Sequence, residues 1–263
     1  MMTPLTGDEA LWLMERVIAL AALLQATELI LLRRIYAPGG VWIWDMLAPE
    51  YNVFPAIARR LVSATLGYPA YLLLLLSQAF VAAYALFYSH PVLFGYLFVG
   101  TLLTSVRWRG TFNGGSDYMT LLVLGAVTVA NLFPSSSLVS FACLCYVALQ
   151  ASASYWIAGW VKARRRNWYT GRALGGFLKS TMYESARLER LAERRSVLMI
   201  FGWLIVVFEL SFPFALLDVR LAAGYLCLGI LFHFSVAVVF GLNRFVLPWA
   251  ACYPAIYFIS GLQ

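Results

Sequence analysis

Residues 197–217, VLMIFGWLIVVFELSFPFALL, contain a single charged side chain, that of Glu209. A helix crosses the ~30 Å hydrocarbon core of a bilayer with about 20 apolar residues, and this stretch is long enough to do so. Its apolar residues are continuous rather than alternating, which favours a helix over the strands of a membrane barrel. The stretch therefore predicts a membrane-spanning α-helix.

The same character extends along the whole chain of 263 residues, which is 62% hydrophobic and 12% charged, with a mean hydropathy of +0.80. A soluble domain typically carries about 25% charged residues. The composition therefore predicts an all-α, polytopic integral membrane helical bundle, with residues 1–263 as a single domain. We expect about eight hydrophobic segments, of which six to eight span the membrane, at 13–32, 66–88, 91–106, 118–133, 138–161, 197–217, 221–241 and 245–261.

The basic residues are concentrated in alternate loops. If all eight segments cross, the first, third, fifth and seventh loops hold every lysine and arginine except Arg16 and Arg220. Loops rich in Lys and Arg stay in the cytoplasm, so these loops are expected there, with both termini outside. The net charge of +7 then reflects collars that contact membrane lipids, and no nucleic-acid partner is expected.

Two longer loops have a composition of their own. Residues 37–65 contain Trp42, Trp44 and three prolines, which is typical of a segment at the membrane interface with its indoles at headgroup depth. Residues 178–196 place leucines and a methionine among charges, which predicts an amphipathic surface helix. That helix is either simply solvated or a docking site for a partner.

The cysteines give no sign of a metal centre. All four lie within apolar stretches, and their spacing fits no zinc site. We therefore interpret them as small core residues and expect no bound metal.

Two polar residues within the apolar segments are candidates for function, because a charge at membrane depth usually faces the bundle interior or a cavity. Glu209 lies four residues before Pro213, and a proline opens the helical backbone beside it. His233 lies in the middle of a segment and can act as a hydrogen-bond partner, a proton carrier or a ligand. For His233, an interhelical hydrogen bond is the alternative.

The stretch RWRGTFNGGSDYM, residues 107–119, combines arginines with a turn before an apolar helix. Asn-Gly-Gly is a turn signal, and Asp117 can cap the helix that follows. Glycines and a helix N-terminus also allow an anionic ligand to approach the backbone. Capping and ligand binding both remain open for this stretch, whose polar candidates are Arg107, Arg109, Asn113 and Asp117.

A further candidate lies in YWIAGWVKARRRNWYTGRAL, residues 155–174. Lys162 is the first charge after an aromatic helix, and a desolvated lysine can lose its proton and act as a base. Three arginines follow at 164–166. Lys162 is therefore either a base or the fourth member of a basic collar.

Taken in order, the blocks RWRGTFNGGSDYM, YWIAGWVKARRRNWYTGRAL, ELSFPF and FHFSVAVVFGLNRF resemble the HTTM domain family, whose best-known members are the vitamin K-dependent γ-carboxylases. The resemblance extends over residues 10–260. In its most specific block, Tyr155, Ile157, Ala158 and Gly159 match the family's Tyr–Phe–Ile–Ala–Gly stretch.

Further along the same block, Lys162 falls on the family's catalytic lysine, and Val161 replaces the lysine that precedes it. Trp168 and Gly171 match the family's Trp and Gly after an insertion of one residue. The resemblance thus implies that Lys162 is a base that deprotonates a quinone in its hydroquinone form, with His233 and Glu209 in the wall of the pocket. Cofactor binding would fall to Arg107, Arg109, Asn113, Asp117 and Trp168.

Two classes of function follow. The resemblance implies a quinone-dependent, carboxylase-like or peptide-maturation enzyme in a bacterial inner membrane, acting on a peptide or protein substrate. The alternative is a non-catalytic accessory subunit that packs against other membrane subunits of a larger complex. An enzyme should bring Lys162, Glu209 and His233 together, whereas a structural subunit should turn Lys162 toward lipid headgroups.

Overall fold

The computed structural model of the chain describes residues 5–108, 114–179 and 186–262, and every regular element in these ranges is a helix. Four helices are long and apolar enough to cross a membrane. A fifth span is possible if the bent pair Ala56–Leu66 and Ala70–Ala85 is counted as one. The prediction of an all-α protein is therefore confirmed for the described residues, and the four long helices are candidate membrane spans by their length and composition.

Contacts divide the chain into two compact units. The N-terminal unit runs from Glu15 to Ser136. The C-terminal unit contains the chain from Ser137 onward together with the residues up to Met14. Each unit is described by itself below.

The N-terminal unit is built around paired helices, with α5 packed on α6 and α6 on α7. Its aromatic core includes Tyr36, Trp44 and Tyr71, all buried. The helices up to the end of this unit are α1 (Gly7–Leu31), α2 (Arg33–Tyr36), α3 (Trp44–Leu47), α4 (Ala56–Leu66), α5 (Ala70–Ala85), α6 (Pro91–Arg107) and α7 (Gly114–Leu132).

The C-terminal unit is organised by its longest helix, α8, which packs against α12 and α15. Short helices follow α8 before the chain returns through α12. The helices of this unit are α8 (Ser137–Ala163), α9 (Arg166–Tyr169), α10 (Arg172–Lys179), α11 (Ala186–Glu193), α12 (Arg195–Ser211), α13 (Val219–Phe240), α14 (Val246–Ala250) and α15 (Tyr253–Ser260).

Local sequence explains how the two apolar helices α12 and α13 begin and end. Pro213 has no backbone N–H to continue the α-helical pattern, so α12 ends at Ser211 and passes into the 3-10 turn Phe212–Leu216. The carboxylate of Asp218 caps α13 by accepting from Arg220 N at 2.8 Å. Gly241 ends α13 with a φ of 70°, a left-handed conformation that glycine adopts without steric cost.

Every predicted hydrophobic segment except the last corresponds to one main helix. The segment expected at 245–261 is instead broken into α14 and α15. Pro254 stands in the first turn of α15, where its ring prevents a continuous helix from running through. Neither piece is long enough to span a bilayer by itself.

The structure also differs from the prediction of one amphipathic helix over 178–196. The described parts of this segment belong to the end of α10 and to α11, and residues 180–185 lie outside the described ranges. The chain then continues at Arg195 as α12. The described charged region is thus two short helices that pack on each other.

Gly159 controls how closely α8 approaches α12. A Cβ placed on Gly159 would lie 2.7 Å from the Leu210 backbone nitrogen and 2.9 Å from Glu209 Cβ. Both distances are shorter than any van der Waals contact, and backbone on the neighbouring helix cannot move as a flexible side chain could. Only a glycine here allows the observed packing.

We therefore expect Gly159→Ala to destabilise the protein by about 1–3 kcal/mol, the usual effect of overpacking. The matched control is Gly224→Ala in α13, where nothing lies within 4 Å of a new Cβ and the more helical residue should leave stability equal or slightly higher. Thermal unfolding of the purified protein in detergent measures both. Equal unfolding midpoints for the two variants would contradict the close approach.

Candidate functional site

One face of α8 presents Lys162 and two other residues of the stretch that resembles the HTTM family. Tyr155, Gly159 and Lys162 are spaced i, i+4 and i+7, which places them on the same side of a helix. Tyr155 and Gly159 are buried, and Lys162 is half-buried. Across this face lie α12 and the turn that follows it.

Lys162 forms an ion pair with Glu209. Its Nζ donates to both carboxylate oxygens at 2.7 Å, and the exposed fractions of the two side chains are 17% and 4%. Such charge-assisted, two-pronged hydrogen bonds are among the stronger ones in proteins. The ammonium is therefore directed at a carboxylate of a neighbouring helix.

The Lys162–Glu209 pair does not lie at the basic end of α12, where the residues of a charged collar would lie. Glu209 lies 14 residues beyond Arg195, where α12 begins, which corresponds to about 21 Å along the axis at 1.5 Å per residue. Lys162 thus sits beside the second half of α12, well away from the basic start of that helix. The three arginines that follow Lys162 are exposed.

Trp168 joins this pair. Lys162 Nζ lies 5.1 Å from the centroid of the Trp168 ring, within the range of a cation–π interaction. Gly171 makes the turn that follows possible, because its φ of +75° suits glycine. Of the residues expected at the site, the structure therefore brings Lys162, Glu209 and Trp168 together.

His233 belongs to a second polar group on the same face of α8. Tyr155 Oη lies 2.7 Å from His233 Nε2 and 2.8 Å from Tyr253 Oη. All three side chains are buried, so the hydroxyl of Tyr155 bridges α13 and α15. The sequence did not single out the two tyrosines as functional, although Tyr155 belongs to the stretch that resembles the HTTM family.

The rings around His233 form an aromatic wall. The imidazole stacks on Trp249 with centroids 4.9 Å apart, and Tyr155 stacks on Phe212 at 3.8 Å. Within the part of the chain that the structure describes, His233 Nδ1 and Trp249 Nε1 are buried without a hydrogen-bond partner. Two unsatisfied polar atoms therefore lie in an otherwise apolar and aromatic environment.

Chemically, these residues can hold and move protons. A lysine can accept a proton only after losing its own, and Glu209 is placed to take it. His233 and the tyrosine hydroxyls can each donate and accept. The site therefore combines a proton-sharing pair with a hydrogen-bond chain that starts two helical turns earlier on α8.

Arg107 lies in the N-terminal unit and is almost fully buried, with an exposed fraction of 1%. Its Nη2 donates to the Trp42 carbonyl oxygen at 2.5 Å. Its guanidinium lies 5.6 Å from the ring centroids of both Trp44 and Tyr71. Aromatic faces therefore surround this charge, and the indole of Trp44, expected at headgroup depth, is buried beside it.

The neighbouring Tyr36 shows the same apolar environment. Burial raises the pKa of Tyr36 to about 12, so its hydroxyl stays protonated at neutral pH. It donates to the Leu29 carbonyl oxygen at 2.9 Å. Arg107 is thus enclosed by neutral aromatic groups.

Of the other candidates in the stretch 107–119, the structure describes Asp117 but not Arg109 or Asn113. Asp117 is buried in the first turn of α7. Within the described ranges, no cluster of three or more His, Cys, Asp or Glu residues could hold a metal ion.

A buried carboxylate that the sequence analysis did not select lies on α1. Glu15 accepts hydrogen bonds from Asn131 Nδ2 at 2.6 Å and from the Ser89 hydroxyl, and it pairs with Arg16 at 3.2 Å. Arg16 also donates to the Ala85 carbonyl. This network connects α1 to the ends of α5 and α7. In the sequence, the only indication of it is that Glu15 and Arg16 are adjacent charges inside an apolar segment.

No protein-family model, curated protein or solved structure matches this chain. The resemblance to the HTTM family therefore stays a prediction. The arguments about function that follow depend on the contacts described above.

Removing one member of the Lys162–Glu209 pair should destabilise the protein strongly. Either Lys162→Met or Glu209→Gln leaves a shielded charge without its counter-charge, and loss of one partner of a buried pair costs about 3–5 kcal/mol. The double variant leaves no charge and should recover most of that loss. Arg166→Gln, at an exposed position, serves as the control and should stay within about 0.5 kcal/mol of wild type. Denaturation in detergent compares all four, and strictly additive losses would contradict the pairing.

The bridging hydroxyl of Tyr155 gives a separate prediction. Tyr155→Phe removes the partner of both His233 and Tyr253, whereas Tyr253→Phe removes one hydrogen bond at the end of the chain. Each buried polar group left unsatisfied costs about 1–3 kcal/mol, so Tyr155→Phe should lower the free energy of unfolding more than Tyr253→Phe does. The reverse order, measured by the same denaturation, would exclude Tyr155 as the central member.

Proposed function

We propose that the protein is an HTTM-type membrane enzyme that removes a proton from a hydroquinone, and that it uses this chemistry to modify a peptide or protein substrate in the manner of a carboxylase. The observation that supports the proposal is the Lys162–Glu209 pair, which is shielded from solvent and joins the last turn of α8 to the last turn of α12. A lysine that served only as a membrane collar would turn to headgroups instead.

Lys162 would be the base and Glu209 its proton partner. In the resting pair the ammonium carries the proton, so Lys162 becomes a base once that proton moves to Glu209. In a low-dielectric site this transfer converts two charges into two neutral groups, which removes the desolvation cost of both. The neutral amine can then take up one proton, and the pair as a whole gains a single positive charge.

In the proposed enzyme, His233 belongs to the wall of the hydroquinone site, as the resemblance implies. A hydroquinone, when bound, would supply an ionisable hydroxyl. Trp249 Nε1 and His233 Nδ1 are the buried groups that lack partners and could hydrogen-bond its oxygens. Phe212 and Tyr155, already stacked, supply the aromatic surface such a ring packs on.

For the membrane arrangement, we propose six to eight spans, an inner-membrane location in a bacterium and cytoplasmic basic loops. The distribution of Lys and Arg between segments supports this orientation. In this arrangement Lys162 is the first basic residue of the cytoplasmic loop that follows the segment 138–161, so its pair with Glu209 lies at the cytoplasmic end of that segment.

One observation favours the alternative, a non-catalytic accessory subunit. Both oxygens of Glu209 already accept a hydrogen bond from Lys162, and a pair that is satisfied in this way is suited to fixing α8 against α12. In such a subunit, the neutral double variant at 162 and 209 should retain every property of the wild type. The two proposals therefore differ in what that variant can do.

The test is anaerobic binding of a short-chain naphthohydroquinone, followed by its ultraviolet difference spectrum. The wild type should bind it and show the red-shifted absorption of the deprotonated form. The Lys162→Met/Glu209→Gln variant should still bind but show only the neutral spectrum, because the proton acceptor is gone. Arg166→Gln, an exposed neighbour, is the control and should behave like wild type.

Two results would overturn the enzyme proposal. The first is the absence of hydroquinone binding to folded wild-type protein. The second is an unchanged anionic spectrum in the double variant, which would assign the proton to another group. Mass spectrometry of polypeptides that co-purify with the protein would then identify the complex of the accessory-subunit proposal.

A further inference from the structure

The segment before α5 in the N-terminal unit does not continue the direction of that helix. It consists of the 3-10 turn Ala48–Val53 and α4, and α4 is bent 67° from α5. Membrane helices stand within about 20° of the membrane normal on average. If α5 stands near the membrane normal, the 67° bend places α4 closer to the membrane plane than to the normal.

This segment has two apolar faces. On the inner face, Val62 and Leu66 pack into the aromatic core of the unit. On the outer face, Val53, Ile57 and Leu61 are 84%, 75% and 63% exposed. Ile57 and Leu61 are four residues apart within α4 and lie on one side of that helix, and Val53 ends the 3-10 turn that precedes it. An exposed apolar side of this kind is typical of an in-plane helix that inserts at the acyl-chain boundary.

A polar strip separates the two apolar faces and opens into a groove of about 440 Å³. Arg59 Nη1 donates to Asn52 Oδ1 at 3.2 Å, which holds this guanidinium at the groove wall. Arg60 lies on the side next to the exposed outer face. The groove is lined by Asp45, Ala48, Pro49, Asn52, Arg59, Arg60 and Ser63.

The charges of this groove are available for a ligand. Among the described residues, Arg59, Arg60 and Asp45 take part in no ion pair. Two guanidinium groups match the geometry of a phosphate, and a free carboxylate matches an ammonium. The groove thus presents both signs of charge beside a surface that faces acyl chains.

We propose that this groove binds the headgroup of an aminophospholipid of the surrounding bilayer. The phosphate lies on Arg59 and Arg60, and the primary ammonium lies on Asp45. The acyl chains lie against Val53, Ile57 and Leu61. A headgroup with phosphate alone leaves Asp45 unpaired, and a trimethylated ammonium cannot donate a hydrogen bond to it. The site involves neither Lys162 nor the proposed reaction.

The experiment is a native mass spectrometry titration of the full-length protein in detergent. The lipids are phosphatidylethanolamine, phosphatidylglycerol and phosphatidylcholine with identical acyl chains. Wild type should bind phosphatidylethanolamine about tenfold more tightly than phosphatidylcholine, a difference of about 1.4 kcal/mol. Asp45→Asn should remove that preference without weakening phosphatidylglycerol, because only the ammonium contact is lost.

The arginines are tested in the same titration. Arg59→Gln/Arg60→Gln should weaken phosphatidylethanolamine and phosphatidylglycerol alike, by about tenfold. The matched control, Arg33→Gln/Arg34→Gln, removes the same charge from an exposed pair in α2 and should change neither. Equal binding of phosphatidylethanolamine and phosphatidylcholine to wild type, or equal losses in the test and control pairs, would overturn the proposal.

A second measurement addresses the outer face of this segment. In a background with the four native cysteines replaced by serine, nitroxides at Leu61→Cys and Ser63→Cys are compared in phosphatidylethanolamine-containing liposomes. The label at 61 should be relaxed by oxygen and the label at 63 by a water-soluble nickel complex. Relaxation of both labels by the nickel complex would overturn the in-plane placement of α4. If the cysteine-free background does not fold, the lipid titration is the only test of the proposal.

Discussion

The C-terminal unit depends on the close approach of α8 and α12 that the Lys162–Glu209 pair requires. A lysine and a glutamate removed from water lose their hydration, and only short, well-directed hydrogen bonds compensate for that loss. Both distances are 2.7 Å, and they are possible because Gly159 puts no side chain between the helices. The same contact sets the register that places Tyr155 against Phe212 and beside His233.

Much of the fold could be predicted because apolar length is a local property of the sequence. Segments such as 138–161 and 221–241 correspond to α8 and α13 within a few residues. The last segment, 245–261, consists of two short helices, and hydropathy alone does not indicate the break before Pro254. Composition therefore predicts that these segments are helical, whereas individual prolines determine where the helices are interrupted.

The site was predictable in its members and not in its arrangement. Lys162 and Glu209 stood out as charges at the edge of apolar runs, but they are 47 residues apart in sequence, and nothing local determines which turn of α12 faces α8. Glu15 was missed for a related reason. Its partner Asn131 is 116 residues away, whereas the adjacent Arg16 suggests only a local pair. Arg107, expected to bind a cofactor, already has an aromatic environment of its own.

The bridging position of Tyr155 has a consequence for direction. A hydroxyl has one hydrogen, so Tyr155 can donate either to His233 or to Tyr253. In the first arrangement Tyr253 donates to Tyr155, and the imidazole hydrogen resides on Nδ1. In the second, His233 donates from Nε2 and its Nδ1 becomes an acceptor. The Tyr253 hydroxyl then accepts from Tyr155, and its own hydrogen is free to be donated elsewhere. The two hydrogen bonds therefore change direction together. A group that contacts His233 Nδ1 thus determines whether the Tyr253 hydroxyl, on another helix, donates to Tyr155 or accepts from it.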